Sequence, residues 1–268
     1  MTVFNVGDFP VALKDVFGTS PGLSRYFGTR SLARSTPLPS NSMFVTSGRT
    51  KLVVDPGDSA RFESSWEGGA GGKHSPPLPL TEQLEAMGVD PGQITHVVVT
   101  HLHFDHFAGV TQMKGGLPVP TFPNARHIIP AKDWVMPDIA DARKKNDKDV
   151  TDTLGVIDRA GIVELLDGRK SLGGGITIEP APGESPGHQL LAVSSRGRKC
   201  YCVGDLYHVK EEVEHPELAG TWADVPVLLE SRRKFAAKAA KDRALVLPAH
   251  MDPGVIRFSR GKFVWSVV

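Results

Sequence analysis

One short segment, residues 94–109, constrains the fold of this chain more than any other. It reads ITHVVVTHLHFDHFAG, an apolar and β-branched run that ends at Thr100 and gives way to polar residues. Three imidazoles and one carboxylate then fall within six residues, at His101, His103, Asp105 and His106. The pattern predicts a buried strand whose carboxyl end runs into a tight turn, with these four side chains gathered at that point.

These four side chains are of the types that hold divalent metals. Imidazole nitrogens and carboxylate oxygens suit zinc and similar ions. Alternation along the extended piece sends His101 and His103 to one side, and the turn brings Asp105 and His106 back towards the same point. By chance, H-x-H-x-D-H is expected roughly 0.001 times in a chain of this length. The sequence therefore predicts a metal site rather than a chance group of surface histidines.

Runs of apolar and β-branched residues predict the other strands, and helical stretches are fewer. The predicted strands are residues 41–46, 51–54, 94–100, 127–130, 176–181, 189–194, 199–203 and 244–248. The predicted helices are residues 81–87, 134–145, 153–160 and 225–241. A length of 268 residues fits one large domain or two small ones, and we expect one α/β domain over residues 1–268.

Composition and charge argue against several classes of protein. With 31 Lys and Arg against 30 Asp and Glu, the net charge of +1 argues against a nucleic-acid partner held by a strong positive field. No apolar run approaches the roughly 20 residues of a membrane-spanning helix, and the amino terminus lacks the cationic start of a secretory signal. Cys200 and Cys202 are predicted to be buried, free thiols on one face of a strand. We therefore expect a cytoplasmic protein without a nucleic-acid or membrane partner.

Two stretches have the composition of long loops. Residues 59–80 carry GGAGGK and PPLP but lack the G-x-x-x-x-G-K-[ST] spacing, so a phosphate-binding loop is not expected there. Residues 141–152, DARKKNDKDVTD, mix charges of both signs. A solvated surface is the expected structure of that stretch, with a lid over a site as the alternative.

The motif THLHFDH resembles the signature of the metallo-β-lactamase superfamily. The resemblance implies a four-layered αβ/βα sandwich, in which helices flank two mixed β-sheets and a dinuclear metal site lies at one edge. It also implies further ligands at or near predicted strand ends, which are His188 in SPGHQ, Asp205 in VGDLYH and His250 in LPAHMDPG. The match spans roughly residues 41–255, most of the chain.

The resemblance also implies how the ligands divide between two metal ions. The first ion would be held by His101, His103 and His188. The second would be held by Asp105, His106 and His250. Asp205 would bridge the two ions together with a water or hydroxide, whose pKa two dications lower towards neutrality. We expect two divalent ions, zinc first, with manganese, iron or cobalt as alternatives.

Several branches of the superfamily fit this sequence less well. The flavin-coupled di-iron members carry Glu where this chain has His103, and true β-lactamases carry a cysteine ligand where it has Asp205. Glyoxalase-like thioesterases add a helical carboxyl-terminal domain, whereas only 18 residues follow His250. RNA-processing members use a long insertion and basic surfaces, and neither is evident. The chain is most similar to the acyl-homoserine lactonase and methyl parathion hydrolase group.

Two departures from the lactonases bear on the site. Lactonases usually read G-H-T-P-G-H before the strand, and this chain has Glu184 at the second position, which is not a ligand position of the family. They also place a Tyr three residues after the bridging Asp, where this chain has His208, with Tyr207 one residue earlier. His208 could donate to the developing oxyanion or protonate a leaving alkoxide, and a merely packed histidine is an equal alternative.

The expected activity is hydrolysis of a small carboxylic ester or lactone by the bridging hydroxide, with phosphotriesters as promiscuous substrates. The candidate catalytic residues are Asp105, His208 and Tyr207, and Asp105 could both bind metal and orient the hydroxide. Alternatives are a glyoxalase-II-like thioesterase, a mononuclear-iron sulfur dioxygenase, and a catalytically silent metal- or ligand-binding protein. The oligomeric state stays open, with a homodimer among the options.

Two further expectations concern residues outside the ligand set. We expect the pocket walls to come from residues 17–35 and 107–135, including Phe107, Met113, Phe122 and Trp134, although each of these apolar residues fits a core position better. The isolated histidines are expected at the surface or in the core rather than on a metal, and these are His74, His96, His127 and His215.

Overall fold

Two β-sheets carry most of the strands in the computed structural model, which describes residues 1–19, 21–27, 32–57 and 79–268. The strands of the first half are β1 (Thr2–Ala12), β2 (Ser35–Ser47), β3 (Thr50–Val54), β4 (His96–Val98), β5 (Thr111–Lys114), β6 (Leu117–Pro120), β7 (Arg126–Pro130) and β8 (Val163–Leu166). Those of the second half are β9 (Lys170–Gly173), β10 (Ile176–Pro180), β11 (Gln189–Ser195), β12 (Arg198–Gly204), β13 (Leu245–Pro248), β14 (Gly254–Ser259) and β15 (Lys262–Val267). His74 and nearly all of the loop expected at 59–80 lie outside the described residues.

Helices join and flank these strands. They are α1 (Leu13–Phe17), α2 (Ser24–Phe27), α3 (Leu80–Ala86), α4 (Phe104–Phe107), α5 (Ala131–Trp134), α6 (Pro137–Lys144), α7 (Lys148–Thr151), α8 (Leu154–Arg159), α9 (Glu211–Glu214) and α10 (Val225–Asp242). None of the described helices is both long enough and apolar enough to cross a membrane.

Both sheets mix parallel and antiparallel pairs, as expected. The first runs in the order β1-β2-β3-β4-β7-β8 and the second in the order β15-β14-β13-β12-β11-β10-β9. In the first sheet β3, β4, β7 and β8 pair in parallel. In the second, β12 and β13 form a parallel pair. Parallel neighbours end at the same edge of a sheet, so the residues that follow β3, β4, β12 and β13 leave each sheet together.

Three apolar clusters show the layers of the fold. Between the sheets, residues of β2, β3, β4 and β7 pack against residues of β10 to β13. On the outer face of the first sheet, α3, α6, α7 and α8 bury their apolar sides. On the outer face of the second sheet, α9 and α10 do the same. This arrangement confirms the predicted four-layered αβ/βα sandwich.

The longest helix, α10, follows its sequence signals closely. The Asp224 side chain accepts a hydrogen bond from the Val227 N–H at 3.3 Å and so caps the helix, with proline in the first turn. At its end Arg243 adopts a left-handed backbone with φ of 48°. The buried face consists of Leu228, Arg232, Phe235, Ala236 and Ala239. The helix predicted at 225–241 is therefore confirmed to within one residue.

The prediction of one continuous helix at 134–145 is wrong. The chain forms α5 and then α6, and Met136 between them is extended, with φ of −56° and ψ of 146°. The residue before a proline is pushed out of the helical region, and Pro137 suits the first turn of a new helix. The prediction therefore missed a break that proline dictates.

Other predicted elements differ in extent. The strand predicted at 94–100 is confined to β4, because the residues after Val98 already turn towards the metal motif. The stretch 141–152, expected to be a loop, forms the end of α6 and the short α7. The terminal strands β1, β14 and β15 were not predicted.

Cys200 and Cys202 are free and buried, as predicted. Both belong to the cluster between the sheets. Burial raises the pKa of the Cys200 thiol to about 12 and that of the Cys202 thiol well above its usual value. Both therefore stay protonated packing residues at neutral pH.

His127, on β7, is fully buried, so its protonation should make the stability of the fold depend on pH. Burial lowers the pKa of its ring to about 4, although Nδ1 lies 3.1 Å from the Ala125 carbonyl oxygen. The unfolded chain binds a proton at this ring below about pH 6.5, whereas the folded chain does so only near pH 4. We therefore expect the free energy of unfolding to fall by up to about 3 kcal/mol between these values on account of His127.

Urea unfolding of the wild type and of His127→Gln at pH 7.5, 6.5, 5.5 and 4.5 measures this contribution. The wild type should lose more stability than the variant over this range, each relative to its own value at pH 7.5. Parallel losses in both proteins would contradict the assignment.

Candidate metal centre

Asp205 stands at the centre of the site, directly after β12. Its Oδ1 lies 3.2 Å from His106 Nε2 and 3.3 Å from His250 Nε2. Its Oδ2 lies 3.7 Å from His101 Nε2. The side chain is almost entirely buried. One carboxylate thus presents one oxygen to each of two separate groups of imidazoles.

The second of these groups has the dimensions of a metal site. Asp105 Oδ2 lies 3.5 Å from His106 Nε2 and 3.2 Å from His250 Nε2. With the two Asp205 contacts, the four carboxylate–imidazole separations in this group run from 3.2 to 3.5 Å. Tetrahedral zinc with bonds of about 2.0–2.1 Å requires donor atoms about 3.3–3.4 Å apart. These four side chains therefore fit one ion of that size.

The first group gathers His101, His103, Glu184 and Asp205, whose donor atoms all lie within 4.8 Å of one another. His101 Nε2 lies 3.4 Å from Glu184 Oε2, and His103 Nδ1 lies 3.2 Å from Glu184 Oε1. The structure therefore brings His101 and His103 together as predicted, and it adds Glu184.

Hydrogen bonds on the far side of each ring fix the orientation of the imidazoles. Nδ1 of His106 donates to Asp55 Oδ2 at 3.0 Å, and Nδ1 of His250 donates to the Pro39 carbonyl oxygen at 2.9 Å. The hydroxyl of Thr100 donates to Asp55, so Nδ1 of His101, 3.1 Å away, donates to that hydroxyl oxygen. In each ring Nε2 is then the nitrogen that faces the site, as metal-binding histidines require.

Several of the inward-facing atoms make no hydrogen bond with the described residues. They are Nε2 of His101 and of His106, Oδ1 of Asp205 and Oε2 of Glu184. Leaving such buried atoms unpaired costs free energy, and atoms 3.2–3.7 Å apart without hydrogen-bonding angles point at a common centre rather than at each other. The residues present therefore fit two divalent ions.

His188 lies beside the first group. Its Nδ1 lies 3.0 Å from the Ala181 carbonyl oxygen, and its Nε2 accepts a hydrogen bond from the Asp205 N–H at 3.2 Å. Its ring centroid is 5.3 Å from that of His101. His188 is not among the grouped donor residues, and both of its ring nitrogens have backbone partners, so the expected binding of the first ion by His188 stays a prediction.

Two buried carboxylates that the sequence analysis missed hold the loops of the site. Asp55, after β3, accepts hydrogen bonds from the Thr100 N–H at 2.7 Å and from its hydroxyl at 2.8 Å. Asp133, in α5, accepts from the Leu102 N–H at 3.2 Å, the Ser185 hydroxyl at 2.7 Å and the Gly187 N–H at 2.6 Å. Asp55 follows the apolar run of β3, a signal that strand-end reasoning could have used.

Burial and charge divide the imidazoles into two kinds. Burial lowers the pKa of His101 well below its usual value and that of His188 to about 4. Burial also acts to lower the pKa of His106, but Asp205, Asp105 and Asp55 outweigh it and raise that pKa well above its usual value. Three carboxylates thus act on His106 of the second group, and their effect exceeds that of burial.

The same balance holds the carboxylates ionised. Burial acts to raise the pKa of Asp205, but His106, His250 and His208 outweigh it and lower that pKa well below its usual value. Burial likewise acts to raise the pKa of Asp105, which His106 and His250 bring down to about 2. Both side chains are therefore anionic at neutral pH, the form that binds a metal.

His208 and Tyr207 differ in where they point. His208 Nε2 lies 3.2 Å from Asp205 Oδ2, and its ring lines the cavity over the site. Tyr207 is buried in the core, with its ring centroid 6.2 Å from that of Phe235 and 5.3 Å from the Arg232 guanidinium. Tyr207 is absent from the described cavity wall, so the structure gives no support to the predicted substrate contact at Tyr207.

A buried ion pair supports His208 from behind. Glu212 Oε1 lies 3.5 Å from His208 Nδ1, and Arg232 donates to the same oxygen at 2.5 Å. Arg232 also donates to the Leu206 carbonyl oxygen at 2.7 Å. Burial acts to lower the pKa of His208, but Asp205 and Glu212 outweigh it and raise that pKa to about 10.

A cavity of about 560 Å³ opens over both donor groups. Its apolar wall consists of Val11, Val16, Leu38, Leu102, Phe104, Phe107, Ile139, Ala142, Val150 and Trp222. Of the predicted wall residues, Phe107 lines the cavity, whereas Phe122 is buried in the core and Met113 is exposed. Trp134 stacks under Arg143, whose guanidinium lies 3.6 Å from the ring centroid.

The charged stretch 141–152 contributes to this wall. Ala142, Asp147, Asp149 and Val150 line the cavity. Part of the stretch therefore lines the cavity over the site, as the lid alternative expected. Most of its other charged residues are exposed, as expected of a solvated surface. Trp222 was not predicted as a wall residue.

Comparison with known sequences decides the family. The sequence model described as the Metallo-beta-lactamase superfamily matches residues 35–250, which include every donor residue described above. This chain belongs to the metallo-β-lactamase superfamily.

Relatives within the superfamily include lactonases. N-acyl homoserine lactonase AttM of Rhizobium radiobacter is 28% identical over 183 residues, covering 64% of this chain and 63% of that protein, less than two thirds of its length. N-acyl homoserine lactonase AttM of Agrobacterium fabrum is 26% identical over 234 residues, covering 81% of this chain and 82% of that protein.

A solved lactonase structure shows the same fold. AidC, a dizinc quorum-quenching lactonase determined with the product N-hexanoyl-L-homoserine, superimposes with a TM-score of 0.75 at 20% identity. The superposition covers 99% of this chain and 93% of AidC. At 20% identity, this similarity establishes a shared fold and nothing further.

Proposed function

We propose that this chain is a dinuclear-metal hydrolase that opens lactones and cleaves related carboxylic esters. One observation carries the proposal: Asp205 presents each carboxylate oxygen to a different group of donor atoms, at separations that suit one ion in each group. The lactonase relatives and the dizinc lactonase of the same fold support the reaction and the metal.

The donor set indicates zinc in both positions. The proposed ligands are His101, His103, Asp105, His106, His188, Asp205 and His250. Imidazole nitrogens dominate, and the second group has tetrahedral spacing, which suits zinc. When bound, the two ions would lower the pKa of a shared water and polarise the substrate carbonyl.

The cavity favours a substrate with an apolar acyl group. Most of its wall is aliphatic or aromatic, and its volume of about 560 Å³ lies within the range of small-molecule sites. An acyl chain against this wall would leave the polar carbonyl beside the donor groups at the base of the cavity. Contacts with the apolar wall would therefore bind the acyl chain, and the metal centre would orient the carbonyl.

His208 is placed to protonate the leaving alkoxide. Its ring lines the cavity beside Asp205, with Nε2 3.2 Å from Asp205 Oδ2 and Nδ1 3.5 Å from Glu212 Oε1. Two carboxylates, Asp205 and Glu212, flank the ring and raise its pKa, which favours the protonated form. A proton delivered from Nε2 to the departing oxygen would complete ring opening of a lactone.

Metal content measured together with a substrate panel tests the proposed function. The purified chain should bind two zinc ions and hydrolyse acyl-homoserine lactones or p-nitrophenyl esters. Asp205→Ala should abolish hydrolysis and lower the metal content, because both donor groups lose a ligand. Asp167→Ala, at an exposed surface position, is the control and should retain both properties.

Other results would point elsewhere. One iron per chain with persulfide-dependent oxygen uptake would replace the proposal with a sulfur dioxygenase. Faster hydrolysis of thioesters than of any lactone would indicate a thioesterase. Two bound zinc ions without turnover of lactones, esters, thioesters or paraoxon would indicate a binding protein.

The leaving group tests the role of His208. We expect His208→Gln to lower kcat for a lactone by about 100-fold, because an alkoxide is a poor leaving group without a proton. The loss for a p-nitrophenyl ester should be much smaller, since p-nitrophenolate leaves without protonation. An equal loss for both substrates at unchanged metal content would contradict the role and favour contact with the developing oxyanion.

A further inference from the structure

The loop between β10 and β11 places a carboxylate inside the first donor group. Glu184 is buried, and its Oε2 lies 3.4 Å from His101 Nε2. Its Oε1 lies 3.2 Å from His103 Nδ1. The separation of Oε2 from His101 Nε2 matches the spacing of about 3.3–3.4 Å expected between two ligand atoms of one zinc-sized ion.

Glu184 lies on the metal side of His101 rather than behind it. The Nδ1 of His101 is bonded to the Thr100 hydroxyl, so Nε2 carries the lone pair that a metal would use. That Nε2 is the atom that faces Glu184 and Asp205. A carboxylate that only oriented the ring would contact the opposite nitrogen.

Trp222 holds one oxygen of Glu184 and leaves the other without a partner. The indole Nε1–H donates to Oε1 at 2.7 Å. Oε2 makes no hydrogen bond with the described residues, although it is buried. A buried carboxylate oxygen without a partner is costly, and a cation at the centre of the group would satisfy it.

The backbone around Glu184 is fixed by close packing. Gly183 has φ of +124°, and a Cβ there would lie 2.3 Å from the Leu228 nitrogen of α10. The Gly183 carbonyl oxygen accepts from the Asp224 N–H at 2.8 Å, and the Pro182 carbonyl oxygen accepts from the Ser231 hydroxyl at 2.6 Å. The position of Glu184 is therefore set by α10.

We propose that Glu184 is a further ligand of the first metal ion, beside the proposed ligands His101, His103, His188 and Asp205. This inference rests on the proposed dinuclear centre and deepens it. An added carboxylate contributes one negative charge and a hard oxygen donor, which shifts the preference of the first position towards manganese, iron or cobalt relative to the same ligand set without Glu184. The two positions then differ in metal preference.

The substitution Glu184→Gln tests the proposal, since the amide oxygen can still accept from Trp222. Zinc and manganese affinities of both positions are measured by chelator competition, and cobalt-loaded protein is followed by its visible absorption. We expect at least a tenfold loss of affinity at one position only, larger for manganese, with a changed cobalt spectrum. Glu179→Gln, on β10 at the surface ion pair with Lys238, is the matched control and should change neither.

Two results would overturn the proposal. One is a folded Glu184→Gln protein with both affinities and the cobalt spectrum unchanged. The other, independent of any variant, is a crystal structure of the metal-loaded wild type in which neither Glu184 oxygen lies within about 2.5 Å of the first ion. A wild type that binds fewer than two ions refutes the dinuclear centre itself, so the two failures are distinguishable.

Discussion

The site depends on a carboxylate buried between two groups of imidazoles. Moving a charge such as that of Asp205 out of water costs several kcal/mol unless opposite charges or hydrogen bonds compensate. His106 and His250 approach one oxygen and His101 approaches the other, so the carboxylate is stable only while both groups stay in place. The two sheets meet this condition because parallel pairs in each end at one edge and deliver the side chains from both sides.

Around this centre, buried hydrogen bonds fix the positions of the loops that carry the metal-binding side chains. Asp55 joins the end of β3 to Thr100 and His106, and Asp133 joins the metal motif to the loop that carries Glu184 and His188. These contacts use carboxylates that carry no metal in the proposed scheme. Their effect is to hold the nitrogen and oxygen donors at ion-binding separations before any ion is bound, which reduces the ordering cost of binding.

The sequence predicted the parts of the molecule that local patterns determine. The metal motif, the long helix α10 and the buried cysteines follow from spacing and periodicity, and resemblance to the family predicted His188, Asp205 and His250. Asp133 and Trp222 took part in no local pattern, and Glu184 stood out only as a departure from the family pattern at a position without a ligand role. The contacts of all three join residues more than 30 positions apart. The break before Pro137, in contrast, was readable from proline chemistry alone.

Anomalous diffraction at the zinc edge, from crystals of the zinc-loaded wild type, tests the central claim most directly. We predict two peaks, one on the side of Asp205 Oδ1 among Asp105, His106 and His250, and one on the side of Oδ2 beside His101 and His103. A single peak, or two peaks that the Asp205 carboxylate does not touch, would contradict the dinuclear centre on which the proposed hydrolase rests.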